Sequence, residues 1–200
     1  MTIVEDRPVA GHEAARRAMI DSQLRTSGVN AEPVLQRMAE VAREDFVPEA
    51  ARGFAYIDRA ISLGNGRFLA APVVQGMMLQ EARPTLADKA LLVDGGSGYL
   101  AELLRPLVGS LDVISPADAA AKSRKGDYTL MLVDGAAEVL PATLVSRLAD
   151  QARVVTGVIE DGVTRLAIGR KAAGDVALLP LAEMGIPALP EFAASRGWSF

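Results

Sequence analysis

The sequence predicts an α/β fold: a three-layer, Rossmann-like arrangement with a mostly parallel central sheet. Three observations lead there. Short apolar runs recur in the second half, at 90–94, 111–115, 128–133 and 153–159, separated by segments of crossover length. The first run breaks into the turn Asp94-Gly95-Gly96-Ser97-Gly98-Tyr99 and continues with Leu100, Leu103, Leu104 and Leu107 at helical spacing. It therefore reads as strand, tight turn, helix. Half of the 200 residues are apolar, enough for one domain with a sizeable core.

Composition removes whole classes of chemistry. The net charge is −4, so there is no basic excess to hold a phosphate backbone, and nucleic acid is not an expected partner. There is no cysteine, which excludes disulfides, thiolate metal sites and a cysteine nucleophile. The single histidine, His12, excludes a multi-histidine metal centre, and no metal is expected. Residues 1–10 carry Glu5 and Asp6 and no long apolar core, unlike a signal peptide. No apolar run is long enough to span a bilayer, and the expected location is cytoplasmic.

The elements follow in order. Residues 1–12 are expected to form a mobile tail, with 13–200 as a single domain. Its first part, 13–87, would hold helices and a long loop; its second, 88–200, the Rossmann-like core. An amphipathic helix is predicted from His12 to Arg25, with Ala15, Met19 and Ile20 inward and Arg16, Arg17 and Asp21 outward. Ser27-Gly28 ends it. Asn30 reads as an N-cap and Pro33 as a first-turn residue of a second helix, whose inner face is Val34, Leu35, Met38 and Val41. A long segment of low periodicity follows to Ala71, of the kind usually kept for function in compact domains. Pro72 suits the first position of a helix carrying Val73, Val74, Met77 and Met78. Beyond the glycine turn, 116–127 has room for one short helix before the next strand. It lacks the length for a further strand and helix, so one βα pair is predicted to be missing. Asp134-Gly135-Ala136-Ala137 reads as a turn, 141–148 as a helix, and 163–169 with 176–181 as a hairpin around Ala172-Ala173-Gly174. Phe192, Trp198 and Phe200 are expected to pack on the sheet or on a second copy of the chain, as in a homo-oligomer.

Several blocks occur in a fixed order. They are Met19-Ile20-Asp21-Ser22-Gln23-Leu24-Arg25, the Val34-Leu35 to Met38 helix, Arg43-Glu44-Asp45-Phe46-Val47-Pro48, Ala55-Tyr56-Ile57-Asp58, the Gly64–Pro72 loop and Gly96-Ser97-Gly98-Tyr99. Over roughly residues 15–170 this set resembles the protein-L-isoaspartate O-methyltransferase family. The resemblance implies the methyltransferase version of the Rossmann-like fold and S-adenosylmethionine as cofactor. It also implies methyl transfer to the carboxylate of L-isoaspartyl residues in damaged proteins. Carried over residue by residue, it assigns Asp94, Gly95, Gly96, Gly98, Tyr99, Ser115, Asp118 and Asp134 to the cofactor. Gly66, Arg67, Phe68, Leu69 and Ala70 become the substrate loop.

The sequence also departs from the family pattern. Leu92 stands where a glutamate is expected and Asp94 where the first glycine of the turn is expected. Ser115 replaces the acidic residue that takes the ribose hydroxyls, with Asp118 close behind. The adenine loop falls in the missing βα pair. Ala70 replaces a serine whose hydroxyl lies in the reaction centre, and alanine can neither donate nor accept through its side chain. These losses predict weak cofactor binding and slow or absent turnover, and no catalytic residue is assigned.

Two functional readings follow. One is a carboxyl methyltransferase, in which proximity does most of the work because a carboxylate is already a nucleophile. The other is a degenerate paralogue, a pseudoenzyme serving as a binding or assembly module. A nicotinamide-binding domain is set aside because the Gly-x-Gly-x-x-Gly spacing is absent.

Overall fold

In a computed structural model, residues 7–121 and 125–194 are described; Trp198 and Phe200 lie outside them. Six strands form the central sheet: β3 (Lys89–Val93), β4 (Ser110–Ile114), β5 (Tyr128–Ala137), β6 (Leu148–Glu160), β7 (Val163–Ala172) and β8 (Asp175–Glu183). Their spatial order is β4-β3-β5-β6-β7-β8. The first four run parallel and the last two are antiparallel, which is the predicted mostly parallel sheet with its terminal hairpin. Ala173 and Gly174, with φ of 53° and 90°, make the tight hairpin turn. β1 (Ile61–Gly64) and β2 (Arg67–Leu69) form a separate two-stranded hairpin within the segment read as a loop.

The central parallel strands β3 and β5 are buried along nearly their whole length because both faces are covered, whereas the edge strand β4 is mostly exposed. One face presents Ala90, Leu92, Leu130, Leu132 and Val155 to a core shared with α3 (Pro72–Ala82) and α4 (Tyr99–Leu104). α1 (Arg7–Met19) and α2 (Glu32–Glu40) enlarge that core through Met19, Val34, Leu35 and Met38. The other face presents Leu91, Val93, Met131, Val133 and Val154. Ala119 of α5 (Pro116–Ala121), Leu144 of α6 (Ala142–Val145) and Phe192 cover it. Phe192 thus packs on the sheet, as expected for the tail. No described helix is long and apolar enough to cross a membrane.

Several local expectations are corrected. α1 begins at Arg7, inside the stretch read as a tail, and His12 sits 3.5 Å from Glu44. The helix does not continue evenly to Arg25: it widens to a π-turn over Ile20–Leu24 and tightens over Arg25–Ser27. Arg16 faces inward, donating to the Tyr56 hydroxyl at 2.8 Å and to Glu44 at 3.3 Å. Asn30 is not the cap of α2; Ala31 is, and the Asn30 amide donates instead to Gln80. β5 runs through Asp134–Ala137, which was read as a turn, because the segment after β8 pairs with it there. Between β4 and β5 the described residues contain α5 and no strand, so β4 is left as the sheet edge.

Candidate functional site

In an open α/β sheet, ligands bind beyond the carboxyl ends of the strands, where the connections diverge to opposite faces. Here that point lies beyond β3, between α4 on one face and α5 on the other. The turn after β3 starts with the Asp94 amide donating to the Ile114 carbonyl at 3.0 Å, which ties it to β4. The Asp94 carboxylate then reaches across the turn and accepts from the Gly98 amide at 3.0 Å. Ser97 Oγ accepts from the Tyr99 amide at 3.2 Å. Gly96 and Gly98 have φ of 114° and 74°, a region that glycine enters without penalty and other residues rarely enter. Gly95 is required for a different reason: a Cβ there would lie 2.2 Å from the Asp134 carbonyl oxygen. The turn is therefore pressed flat against β5.

Two carboxylates face this turn. Asp134, on β5, is buried and accepts from Gln75 Nε2 at 3.4 and 3.2 Å. Burial, with the nearby Asp94 carboxylate second, pushes its carboxyl up to about 7; Gln75 and Arg43 pull the other way. Asp94 is also raised, mainly by burial, while the Gly98 and Gly96 amides oppose the shift. Behind them Arg43 is wholly buried. It donates to the Ala55 carbonyl at 2.8 Å, to Gln75 Oε1 at 2.8 Å and to the Ala70 carbonyl. Its guanidinium lies 5.0 Å over the Tyr99 ring, which meets Phe46 edge-on at 5.2 Å. Arg43 thus joins the long segment, α3 and the glycine turn, and through Gln75 it steadies Asp134.

The residues named from the sequence divide by position. Asp94, Gly95, Gly96, Gly98 and Asp134 are brought together. Ser115 and Pro116 join Asp94, Gly96 and Arg67 around a small cavity of about 240 Å³. Tyr99 contributes only its amide, since its ring is wholly buried in the core. Asp118 is engaged locally: Ser115 Oγ donates to its carboxylate at 2.8 Å and accepts from its amide at 3.1 Å, capping α5. In the loop, Gly66 lies in the hairpin turn with φ of 71°, and Phe68 is partly exposed. Leu69 and Ala70 are buried. Arg67 is paired with Glu191.

Sequence reasoning missed Arg43, Gln75 and Glu191. Gln75 had a signal, being a polar residue set among Val73, Val74, Met77 and Met78 on α3, away from Gln80 and Glu81 at its end. Arg43 lay in a quoted block but was given no role of its own. Glu191 had none, being 124 positions from Arg67.

The sequence model of the family described as protein-L-isoaspartate(D-aspartate) O-methyltransferase matches residues 14–121. A protein-L-isoaspartate O-methyltransferase of Koribacter versatilis is 31% identical over 191 residues, covering 83% of this chain and 86% of that one. A protein of the same name from Pelotomaculum thermopropionicum is 29% identical over 182 residues, covering 78% and 80%. Among solved structures, a beta-aspartate methyltransferase from Plasmodium falciparum in complex with S-adenosyl-L-homocysteine superposes with a TM-score of 0.71 at 19% identity. It covers 90% of this chain and 98% of that one, a likeness of fold.

Proposed function

Because this chain belongs to the protein-L-isoaspartate(D-aspartate) O-methyltransferase family, we propose that it is an S-adenosylmethionine-dependent enzyme acting on the carboxylate of L-isoaspartyl residues in damaged proteins. The observation that carries this reading is the turn after β3. Gly96 and Gly98 adopt the left-handed conformations that let a ligand approach the backbone, at the end of the sheet where such ligands bind.

The residues present suit the cofactor's charge. S-adenosylmethionine carries a sulfonium and an ammonium; the Asp94 carboxylate lines the cavity at this turn, and the buried Asp134 carboxyl behind it would ionise beside a bound cation. Gly96 and Gly98 would hold its amino-acid part, and Ser115 stands at the β4 end for its ribose. When bound, the cofactor supplies an activated methyl group. The rest falls to this chain: holding a substrate carboxylate in line, excluding water and keeping the site rigid. The hairpin tip, Gly66 to Phe68, is the part of the loop open to a protein or peptide substrate. Ala70 brings no hydroxyl to the reaction centre, so turnover is slow on this reading. A protein or peptide partner in the cytoplasm, without nucleic acid, goes with it.

Ala70 also favours a second reading, a paralogue that has kept the fold and lost turnover. Measuring S-adenosylhomocysteine release from an isoaspartyl peptide, with the matching aspartyl peptide as control, separates the two. Slow release confined to the isoaspartyl peptide supports the enzyme. Calorimetric binding of S-adenosylhomocysteine with no release from either peptide supports the binding module.

A further inference from the structure

Arg67 lies on the ligand-facing side of the glycine turn. A Cβ placed on Gly96 would be 3.2, 3.3 and 3.4 Å from Cγ, Cβ and Cδ of Arg67, so the stem rests on Gly96 with no room for a ligand atom between. Beyond the stem, the guanidinium is gripped by both oxygens of Glu191: Nη1 donates to Oε2 at 3.3 Å and Nη2 to Oε1. The fork-to-fork geometry fixes direction as well as distance.

The two partners differ in how firmly they are held. Glu191 belongs to a segment stitched to the end of β5. The Ala136 amide donates to the Pro187 carbonyl at 2.8 Å, and the Leu189 amide to the Ala136 carbonyl at 2.9 Å. The Glu138 and Val139 amides donate to the Phe192 carbonyl at 3.1 and 3.0 Å, and the Phe192 ring is buried. Arg67, by contrast, sits on the β1–β2 hairpin, whose strands pair with no others among the described residues. Its turn carries three consecutive positive φ values, at Gly64, Asn65 and Gly66. The buried Ile61 and Leu69 pin the base of the hairpin, so its tip, residues 64–68, is the part able to move and the C-terminal segment is the fixed post.

Resting on the cofactor reading above, we propose that Arg67 and Glu191 form a latch. It holds Arg67 down on Gly96 and keeps the cofactor cleft shut until the pair parts and the hairpin tip lifts. The side chains are 31% and 23% exposed, so water can take over their hydrogen bonds and the latch is breakable.

The test is cofactor affinity rather than turnover. S-adenosylmethionine binding is measured by calorimetry for the wild type, Glu191→Gln, Arg67→Gln and the double variant, with thermal melts to show that each folds. Amide hydrogen exchange over 61–69 is followed with and without cofactor. The latch predicts that Glu191→Gln binds about two- to fivefold tighter, the range for releasing a partly exposed pair. It predicts the same for Arg67→Gln, no further gain in the double variant, and faster exchange in the wild-type hairpin once cofactor is added. Simple electrostatics gives the opposite sign for Glu191→Gln, since losing a negative charge weakens binding of a cation. Unchanged or weaker binding by Glu191→Gln, with cofactor still bound, overturns the latch and leaves the cofactor reading standing. No binding by any of the four proteins at millimolar cofactor overturns both.

Discussion

Gln75 Nε2 points at both carboxylate oxygens of Asp134, while Gln75 Oε1 accepts from Arg43. The amide is thus oriented by a buried cation on one side and presents a donor to a buried acid on the other. The relay does not fully offset burial: the Asp134 carboxyl stays up at about 7 because ionising it beside Asp94 in a dry site is costly. A carboxyl raised in the folded state binds a proton that the unfolded chain has already released. Its stabilising contribution is complete below pH 4 and is lost as pH rises from 4 to 7. The loss is on the order of 4 kcal/mol, at about 1.4 kcal/mol for each tenfold change in proton affinity. Asp134→Asn keeps the hydrogen-bonding shape without the charge. It is expected to be more stable than wild type at pH 8 and nearly equal to it at pH 4, by urea denaturation at both values. Parallel stability profiles for the two proteins would contradict this.

The same group ties cofactor binding to pH. A cation entering between Asp94 and Asp134 favours the ionised acid, so binding must displace a proton wherever Asp134 is still protonated. Affinity for S-adenosylmethionine is expected to rise from pH 6 to pH 8, with an observed binding enthalpy that differs between buffers of different ionisation heat because a proton is released. Asp134→Asn should bind more weakly at pH 8 and lose the pH dependence. A wild-type affinity that is flat over this range would show that Asp134 does not face the bound cation.

Arg43 is the largest fully buried side chain among the described residues. Its guanidinium satisfies the carbonyls of Ala55 and Ala70 and the amide oxygen of Gln75, all in a site without water access. Arg43→Met fills the volume but leaves three buried acceptors unmet. We expect a loss of about 3–5 kcal/mol, the cost of breaking a buried charged network from one side. Arg43→Lys is expected to recover only part of it, because an ammonium cannot reproduce the planar fork. Chemical denaturation checks both, and a loss under about 1 kcal/mol for Arg43→Met would show that water reaches the site.

These relationships explain what could be read from the sequence. β3 and β5 were legible because their buried cores are apolar on both faces, and the missing βα pair because chain length alone forbids it. Asp134–Ala137 was misread as a turn: Gly135 suggests a break, yet here it is glycine because Leu189 packs where its Cβ would be, 2.5 Å away. Arg16 looked like a solvated charge since its partners, Glu44 and Tyr56, come from a segment with no periodicity to place it. The turn after β3 was legible because Gly96 and Gly98 take backbone conformations that favour glycine. Arg43, Gln75 and the Arg67–Glu191 pair were not, since each depends on tertiary contacts between distant segments.

Ala70 offers the sharpest test of whether chemistry has been lost or only slowed. It follows β2, is buried, and its carbonyl is held by Arg43, so the backbone at this position is already fixed. Ala70→Ser adds one oxygen to that fixed backbone. Unpaired, a buried hydroxyl costs about 1–3 kcal/mol, which a thermal melt would detect. Paired with a bound carboxylate, the same hydroxyl orients the nucleophile, a role worth on the order of a hundredfold in rate. We expect Ala70→Ser to be slightly less stable than wild type without ligand and to release S-adenosylhomocysteine from an isoaspartyl peptide markedly faster. Combined with Glu191→Gln, the gain should persist, because the hydroxyl acts on the substrate and the latch on the cofactor. If Ala70→Ser binds cofactor as wild type does yet shows no faster release, the absent hydroxyl is not what limits turnover, and the binding-module reading gains.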